Sequence, residues 1–153
     1  GKSRLAGVET MCKIQINRHI NMHGAYNYLY TSKDADGVRL SSSSPHSGNI
    51  RAEYNTRIPR YATVVNLSGN IMGKKKFDVL DELEIDGKKV EAYYQAKVNP
   101  YCLWDLTVSQ YIMQNLRITA GITNLFDYTS DRVTFNTSTS PGRNYFIACN
   151  YTL

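Results

Sequence analysis

The chain has 153 residues, 42% of them apolar and 20% charged, a composition that excludes a disordered tail and fits one domain or a piece of a larger protein. No run of about 18 apolar residues occurs, so a transmembrane helix is excluded, and no signal peptide is predicted. The net charge of +5 comes mostly from dispersed residues, and only Lys74–Lys76 form a dense run. Because no nucleic-acid-binding motif accompanies them, we expect no nucleic acid as a partner.

The residues that usually carry chemistry are scattered. Cys12, Cys102 and Cys149 show no metal-ligand spacing, and neither do the three histidines. The sequence contains no GxSxG, HExxH, P-loop or Rossmann glycine pattern. We therefore expect no cofactor, no metal site and no enzyme activity.

Apolar and polar residues alternate with a period of two through most of the chain, which is typical of strands with one apolar and one polar face. In one such stretch Leu116, Ile118 and Ala120 alternate with polar or small residues. The pattern predicts an all-β, antiparallel up-and-down meander. In chain order its seven strands are expected at residues 4–17, 22–33, 48–57, 61–77, 99–112, 115–126 and 142–153.

The connections between these strands alternate in length. Tight turns are expected at 17–21, 57–60 and 113–114, and long polar segments at 34–47, 78–98 and 127–141. In a meander this places all the short turns at one end of the sheet. Transmembrane barrels have this pattern, with short periplasmic turns and longer extracellular loops.

The middle long segment, 78–98, carries its own strand signal. Asp86-Gly87 favours a type I′ turn, which would pair Ile85 with Lys88 and continue outwards in register. The same register sets Glu82 opposite Glu91, an unfavourable pair of like charges. We predict a hairpin that prolongs the fourth and fifth strands beyond the membrane.

Alternation alone does not distinguish a membrane barrel from a soluble one. A soluble β-barrel or β-sandwich module that binds a small apolar ligand is the alternative interpretation. The twelve tyrosines favour the membrane, because many of them collect near strand ends, where outer-membrane barrels have aromatic girdles.

Two motifs in the C-terminal third resemble a known family. Thr123–Asp127 is similar to the "NLFD" element of TonB-dependent outer-membrane receptors, and Pro141–Tyr145 resembles the "PGR-x-[YF]" that opens their last strand. Gly7–Glu9 and Ser44–Asn49 are similar to elements further upstream in that family. One departure is the terminal Leu153, because members usually end on an aromatic residue.

The resemblance implies that residues 1–153 are the C-terminal segment of a roughly 22-stranded transmembrane barrel, incomplete and without the plug domain. It implies the bacterial outer membrane, and active uptake of a large ligand of the iron–siderophore, haem or cobalamin class. The implied partners are the rest of the receptor barrel and its plug, outer-membrane lipid, and TonB only through the missing N-terminal part. The isolated fragment is expected to self-associate through its open strand edges.

Ligand contacts in such a segment would come from loops and from side chains facing the lumen. Aromatic and basic groups suit large anionic chelates. The candidate ligand-binding residues are Arg39, Tyr93, Tyr94, Arg132 and Arg143.

Overall fold

The computed structural model describes residues 4–32, 44–85, 88–129 and 141–152, and the backbone alone within 77–96. All of its elements are strands, and the described residues include no helix of the length and apolarity that crossing a membrane requires. The strands are β1 (Leu5–Gln15), β2 (Ile20–Thr31), β3 (His46–Asn55), β4 (Thr63–Met72), β5 (Lys75–Ile85), β6 (Lys88–Val98), β7 (Tyr101–Ile112), β8 (Leu116–Thr123) and β9 (Asn144–Tyr151).

Seven of the strands form one sheet in the order β1-β2-β3-β4-β7-β8-β9, and β5 pairs with β6 in a separate two-stranded sheet. This confirms the predicted seven-stranded meander. The prediction of one continuous strand over 61–77 was too long, because β4 ends at Met72 and β5 begins at Lys75. Gly73 separates them, and its N–H donates to the His46 carbonyl at 2.8 Å.

The hairpin formed by β5 and β6 has the predicted register. Ile85 pairs with Lys88, and the ladder continues outwards to Lys75 opposite Val98. Glu82 does lie opposite Glu91, as the sequence indicated. The residue contacts divide the chain into two compact units, of which the first contains this hairpin and the second contains β8 and β9.

Within the second unit, the registers of β7, β8 and β9 separate an apolar face from a polar face, because directly opposed residues share a face. The opposed rows on the apolar face are Leu106, Ile122 and Tyr145; Val108, Ala120 and Ile147; Gln110, Ile118 and Cys149; and Ile112, Leu116 and Tyr151. None of the described side chains is fully buried, and Ile147 is 77% exposed. Within the described part of the chain, the apolar face therefore has no second layer of protein over it, unlike the inner face of a sandwich.

Two aromatic side chains fill the space that a glycine leaves on the neighbouring strand. A Cβ on Gly69 would lie 2.9 Å from the nearest atom of the Trp104 ring, so the ring occupies the space that a side chain there would need. Phe146, directly opposite Gly121, covers that glycine so closely that a Cβ there would meet the ring. Neither glycine could carry a side chain without displacing the ring.

Three short connections join β1 to β2, β3 to β4, and β7 to β8, as predicted. Arg57, Arg60 and Met113 in these connections have positive φ angles of 54°, 67° and 56°. Such angles are uncommon outside glycine, asparagine and aspartate. Residue propensity did not predict these angles.

Candidate functional site

The five predicted ligand residues fall into three groups in the structure. Arg39 and Arg132 lie outside the described residues. Tyr93 and Tyr94 lie on β6, opposite Leu80 and Val79, and only their backbone is described. Arg143 is exposed and immediately precedes β9.

Arg143 lies beside a hydrogen-bonded cluster centred on Asn124, in which the NLFD and PGR elements meet. The Asn124 side chain is only 5% exposed. Its Nδ2 donates to the carbonyls of Tyr128 at 2.7 Å and Pro141 at 3.2 Å, and its Oδ1 accepts from the Tyr128 N–H at 2.8 Å. We call Asp105, Asn124, Asp127, Tyr128 and Pro141 the Asn124 clasp.

The backbone of Asn124 ends β8 and turns the chain. Its φ of 52° is in the left-handed region, which asparagine tolerates better than most residues. Its N–H donates to Asp105 Oδ1 on β7 at 2.9 Å, and the next N–H, of Leu125, donates to the Trp104 carbonyl at 2.6 Å. The clasp therefore joins the ends of β7 and β8 to the segment that leads into β9.

Asp127 completes this connection. It also has a positive φ, 56°, and its N–H donates to the Asn124 carbonyl at 2.8 Å. Its Oδ1 accepts the Arg143 N–H at 2.7 Å, so the NLFD aspartate fixes the backbone of the PGR arginine. A Cβ on Gly142 would come 3.0 Å from the same carboxylate oxygen, which explains the glycine of the PGR element.

The guanidinium of Arg143 remains charged. A side-chain hydrogen bond and the electrostatic interaction with Tyr145 raise the pKa of Arg143, desolvation lowers it, and the carboxylate of Asp127 raises it further. Tyr145 lies on the apolar face at the end of β9 and is 69% exposed. Arg143 is therefore a permanent cation next to an exposed phenol, a pair suited to anionic groups.

A second feature lies in the first unit, where β1 and β2 border an open depression of about 590 Å³. This volume is within the usual range for ligand pockets, about 300–1,000 Å³. Its lining includes the polar residues Glu9, Asn27, Tyr28 and Lys75. These residues lie at a depression whose lining is mainly apolar, and Arg143 is not part of that lining.

Metal binding has no structural basis within the described residues, which contain no group of three or more His, Cys, Asp or Glu side chains placed to hold an ion. The cysteines are free in the described structure and lie on strands β1, β7 and β9.

Sequence reasoning did not identify the Asn124 clasp as a structural unit. Period-two alternation indicates only a polar face for Asp105, whereas in the structure its carboxylate accepts a hydrogen bond from the Asn124 N–H. The sequence signal for this unit was the presence of both motifs. NLFD and PGR are far apart in the sequence, and the structure brings them into contact.

Comparison with known proteins identifies the family. Residues 1–125 match the family described as TonB dependent receptor-like, beta-barrel. No curated protein matches the chain.

Several solved structures share the fold. The ferripyoverdine receptor of the outer membrane of Pseudomonas aeruginosa is 17% identical with a TM-score of 0.74, covering 97% of this chain and 19% of the receptor. The P. aeruginosa ferric enterobactin receptor, as an R480A mutant in complex with enterobactin, is 18% identical with a TM-score of 0.73, covering 95% of this chain and 22% of that one. A complex of a related receptor with pyocin S2 gives 15% identity and a TM-score of 0.69, covering 97% of this chain and 19% of the receptor.

The chain spans about a fifth of the length of these receptors. Their location, together with the family match, confirms the bacterial outer membrane and decides against the soluble β module. The uncovered apolar face is what a lipid-facing sheet requires. The chain therefore belongs to the TonB-dependent receptor family, as part of the β-barrel domain.

Proposed function

We propose that the chain is the C-terminal segment of the barrel of an outer-membrane receptor that takes up a large ligand actively, with energy passed through TonB. The ligand class is an iron–siderophore, haem or cobalamin. Similarity to receptors solved with ferripyoverdine and with enterobactin supports the siderophore class first. The partners are the remaining barrel strands, the plug and, through the plug, TonB.

The observation that carries this proposal is the apolar face of β7, β8 and β9. Its rows run across three strands without a covering layer, and Ile147, Tyr145 and Tyr151 are 77%, 69% and 65% exposed. Apolar patches of this extent are rarely left in water. Lipid covers them in a barrel wall, and the opposite, polar face is then directed to the lumen.

The ligand is proposed to bind at the end of the sheet that carries the long connections. Tyr93 and Tyr94 lie on β6, within the long connection between β4 and β7, and Arg143 lies in the long connection between β8 and β9. Together with Arg39 and Arg132 these residues supply aromatic surface and fixed positive charge. Both suit a large, anionic, aromatic-rich chelate.

A first prediction concerns sidedness. In a receptor freed of its native cysteines, a cysteine at Asp86 is expected to react with an impermeant thiol reagent on intact cells, because the β5–β6 turn is extracellular. A cysteine at Gln114, in the short β7–β8 turn, is expected to react only after the cells are lysed. Labelling in the opposite order would invert the topology.

A second prediction concerns the ligand. Replacing both Tyr93 and Tyr94 with alanine is expected to weaken ferric-siderophore binding by about 1–2 kcal/mol, or roughly five- to thirtyfold, the loss typical of aromatic contacts at an interface. Ligand titration of the purified receptor by fluorescence quenching measures it. Tyr151→Ala is the control, because Tyr151 pairs with Leu116 at the opposite end of the sheet. Unchanged affinity in the double variant would remove these tyrosines from the site.

A further inference from the structure

The short turns form a cationic edge of the sheet. The connections at 16–19, 56–62 and 113–115 contain Arg18, Arg57 and Arg60 and no Asp or Glu. All three arginines are exposed. Because the turns of a meander alternate between its two ends, these three connections lie at the same end. We call Arg18, Arg57 and Arg60 the basic turn cluster.

A chain of hydrogen bonds connects two of these turns. Arg18 Nε donates to His19 Nε2 at 2.9 Å, and His19 Nδ1 donates in turn to the Asn55 carbonyl at 2.8 Å. Asn55 Oδ1 then accepts the Arg57 N–H at 2.8 Å. The His19 and Tyr54 rings also approach, with centroids 6.2 Å apart. Arg18 and Arg57 are therefore held on a shared scaffold.

The β3–β4 turn itself is rigid. Thr56 and Thr63 close it, through a bond from the Thr56 N–H to the Thr63 carbonyl at 3.0 Å and one from the Thr63 N–H to Thr56 Oγ1 at 2.8 Å. From β7, Gln110 Nε2 donates to the Tyr61 carbonyl at 3.2 Å, and Gln110 Oε1 accepts from Thr63 Oγ1 at 2.6 Å. These bonds hold the turn backbone from which Arg57 and Arg60 project.

The backbone at both arginines is one that arginine rarely adopts. The Tyr61 N–H donates to the Ile58 carbonyl at 3.2 Å across Pro59 and Arg60, with φ of 67° at Arg60. A turn of this kind calls for glycine or asparagine at that position. Arg57 is in the same left-handed region, at 54°. Because strain of this kind often occurs at functional sites, these two positions are candidates for a binding role.

Exposed apolar residues lie among the cations. Ile58 is 54% exposed, Tyr61 50%, and Met113 in the neighbouring turn 61%. On the apolar face the row of Ile112, Leu116 and Tyr151 lies next to the β7–β8 turn, so apolar side chains continue up to the level of the turns. Cations next to an exposed tyrosine and isoleucine match the boundary between acyl chains and headgroups.

We propose that the basic turn cluster binds the phosphate groups of anionic phospholipids in the leaflet that borders the short turns, with Ile58 and Tyr61 inserted at the acyl-chain boundary. The proposal rests on the membrane placement of the sheet in the proposed function. Arg57 and Arg60 contact the headgroup from the rigid turn, and Arg18 adds charge from the adjacent turn. Guanidinium groups bind phosphate through paired N–H donors, which favours arginine over lysine here.

A lipid titration tests this proposal on the whole receptor, purified and delipidated in neutral detergent. Phosphatidylglycerol and phosphatidylcholine are added separately, and binding is measured by thermophoresis. Arg57→Asn and Arg60→Asn remove the charges with a residue that tolerates positive φ, so the turn backbone is retained. We expect tighter binding of phosphatidylglycerol by the wild type and a loss of about fivefold for each arginine removed.

Arg51→Gln is the matched control, because it removes one exposed cation from within β3, away from the turns. Equal losses in Arg51→Gln, equal affinity for the two lipids, or unchanged affinity in both asparagine variants would each overturn the proposal. So would inorganic phosphate that bound as tightly as the lipid, since this would indicate a plain anion site. The titration measures neither uptake nor sidedness, so its failure and that of the uptake proposal are separate results.

Discussion

Replacing Asn124 with alanine is expected to destabilise the folded barrel by about 3–4 kcal/mol. The change removes three side-chain hydrogen bonds at a position only 5% exposed, each worth about 1 kcal/mol, and puts alanine at a φ of 52°, which costs about 1 kcal/mol more. Urea titration of the receptor in lipid vesicles, followed by the gel shift of the folded barrel, measures the loss.

Asn124→Gly separates the two contributions. Glycine adopts the positive φ without strain but makes none of the side-chain bonds, so its expected cost is smaller than that of alanine by about 1 kcal/mol. Equal stability of Asn124→Ala and the wild type would show that the Asn124 clasp does not hold the ends of β7 and β8 to the segment before β9.

Replacing Ile147 with arginine is expected to cost about 2–4 kcal/mol if the residue lies near the bilayer midplane. Ile147 is 77% exposed in the chain and lies opposite Ala120, so an arginine there has room among the protein atoms. Any large loss must therefore come from lipid. The same urea titration in vesicles provides the measurement.

Ala148→Arg is the neighbouring control. Ala148 lies opposite Thr119 on the polar face, so its arginine is directed to the lumen and is expected to cost far less. Equal losses for Ile147→Arg and Ala148→Arg would contradict the assignment of the two faces.

The strand pattern could be predicted because a period of two in apolar residues reports directly on the two faces of a sheet. The Asp86-Gly87 turn signal also predicted the hairpin register correctly, beginning with Ile85 opposite Lys88. The break between β4 and β5 was not predicted. It lies at Gly73, where a Cβ would come 2.8 Å from the His46 carbonyl oxygen, so the position requires glycine. Local alternation of apolar and polar residues does not predict a contact between segments that are distant in the sequence.

The candidate site was less predictable for the same reason. The link from Asn124 to Pro141 crosses the loop between β8 and β9, and local propensity does not report such a bond. The positive φ angles at Arg57 and Arg60 run against propensity, since the expected residues there are glycine and asparagine. Of the proposed ligand residues, Arg143 is the one whose side chain the structure describes, and its role in binding is a prediction.

The two aromatic–glycine contacts have a consequence for how the sheet assembles. Trp104 fits over Gly69 and Phe146 over Gly121, so each ring needs one particular cross-strand position. If β9 slid by two residues along β8, Phe146 would meet the side chain of Thr119 or Thr123 in place of a glycine. A slide by one residue would turn every β9 side chain to the wrong face. The ring of Phe146 therefore favours one alignment of β9, because the other β8 positions on that face are Arg117, Thr119 and Thr123 and leave no space for it.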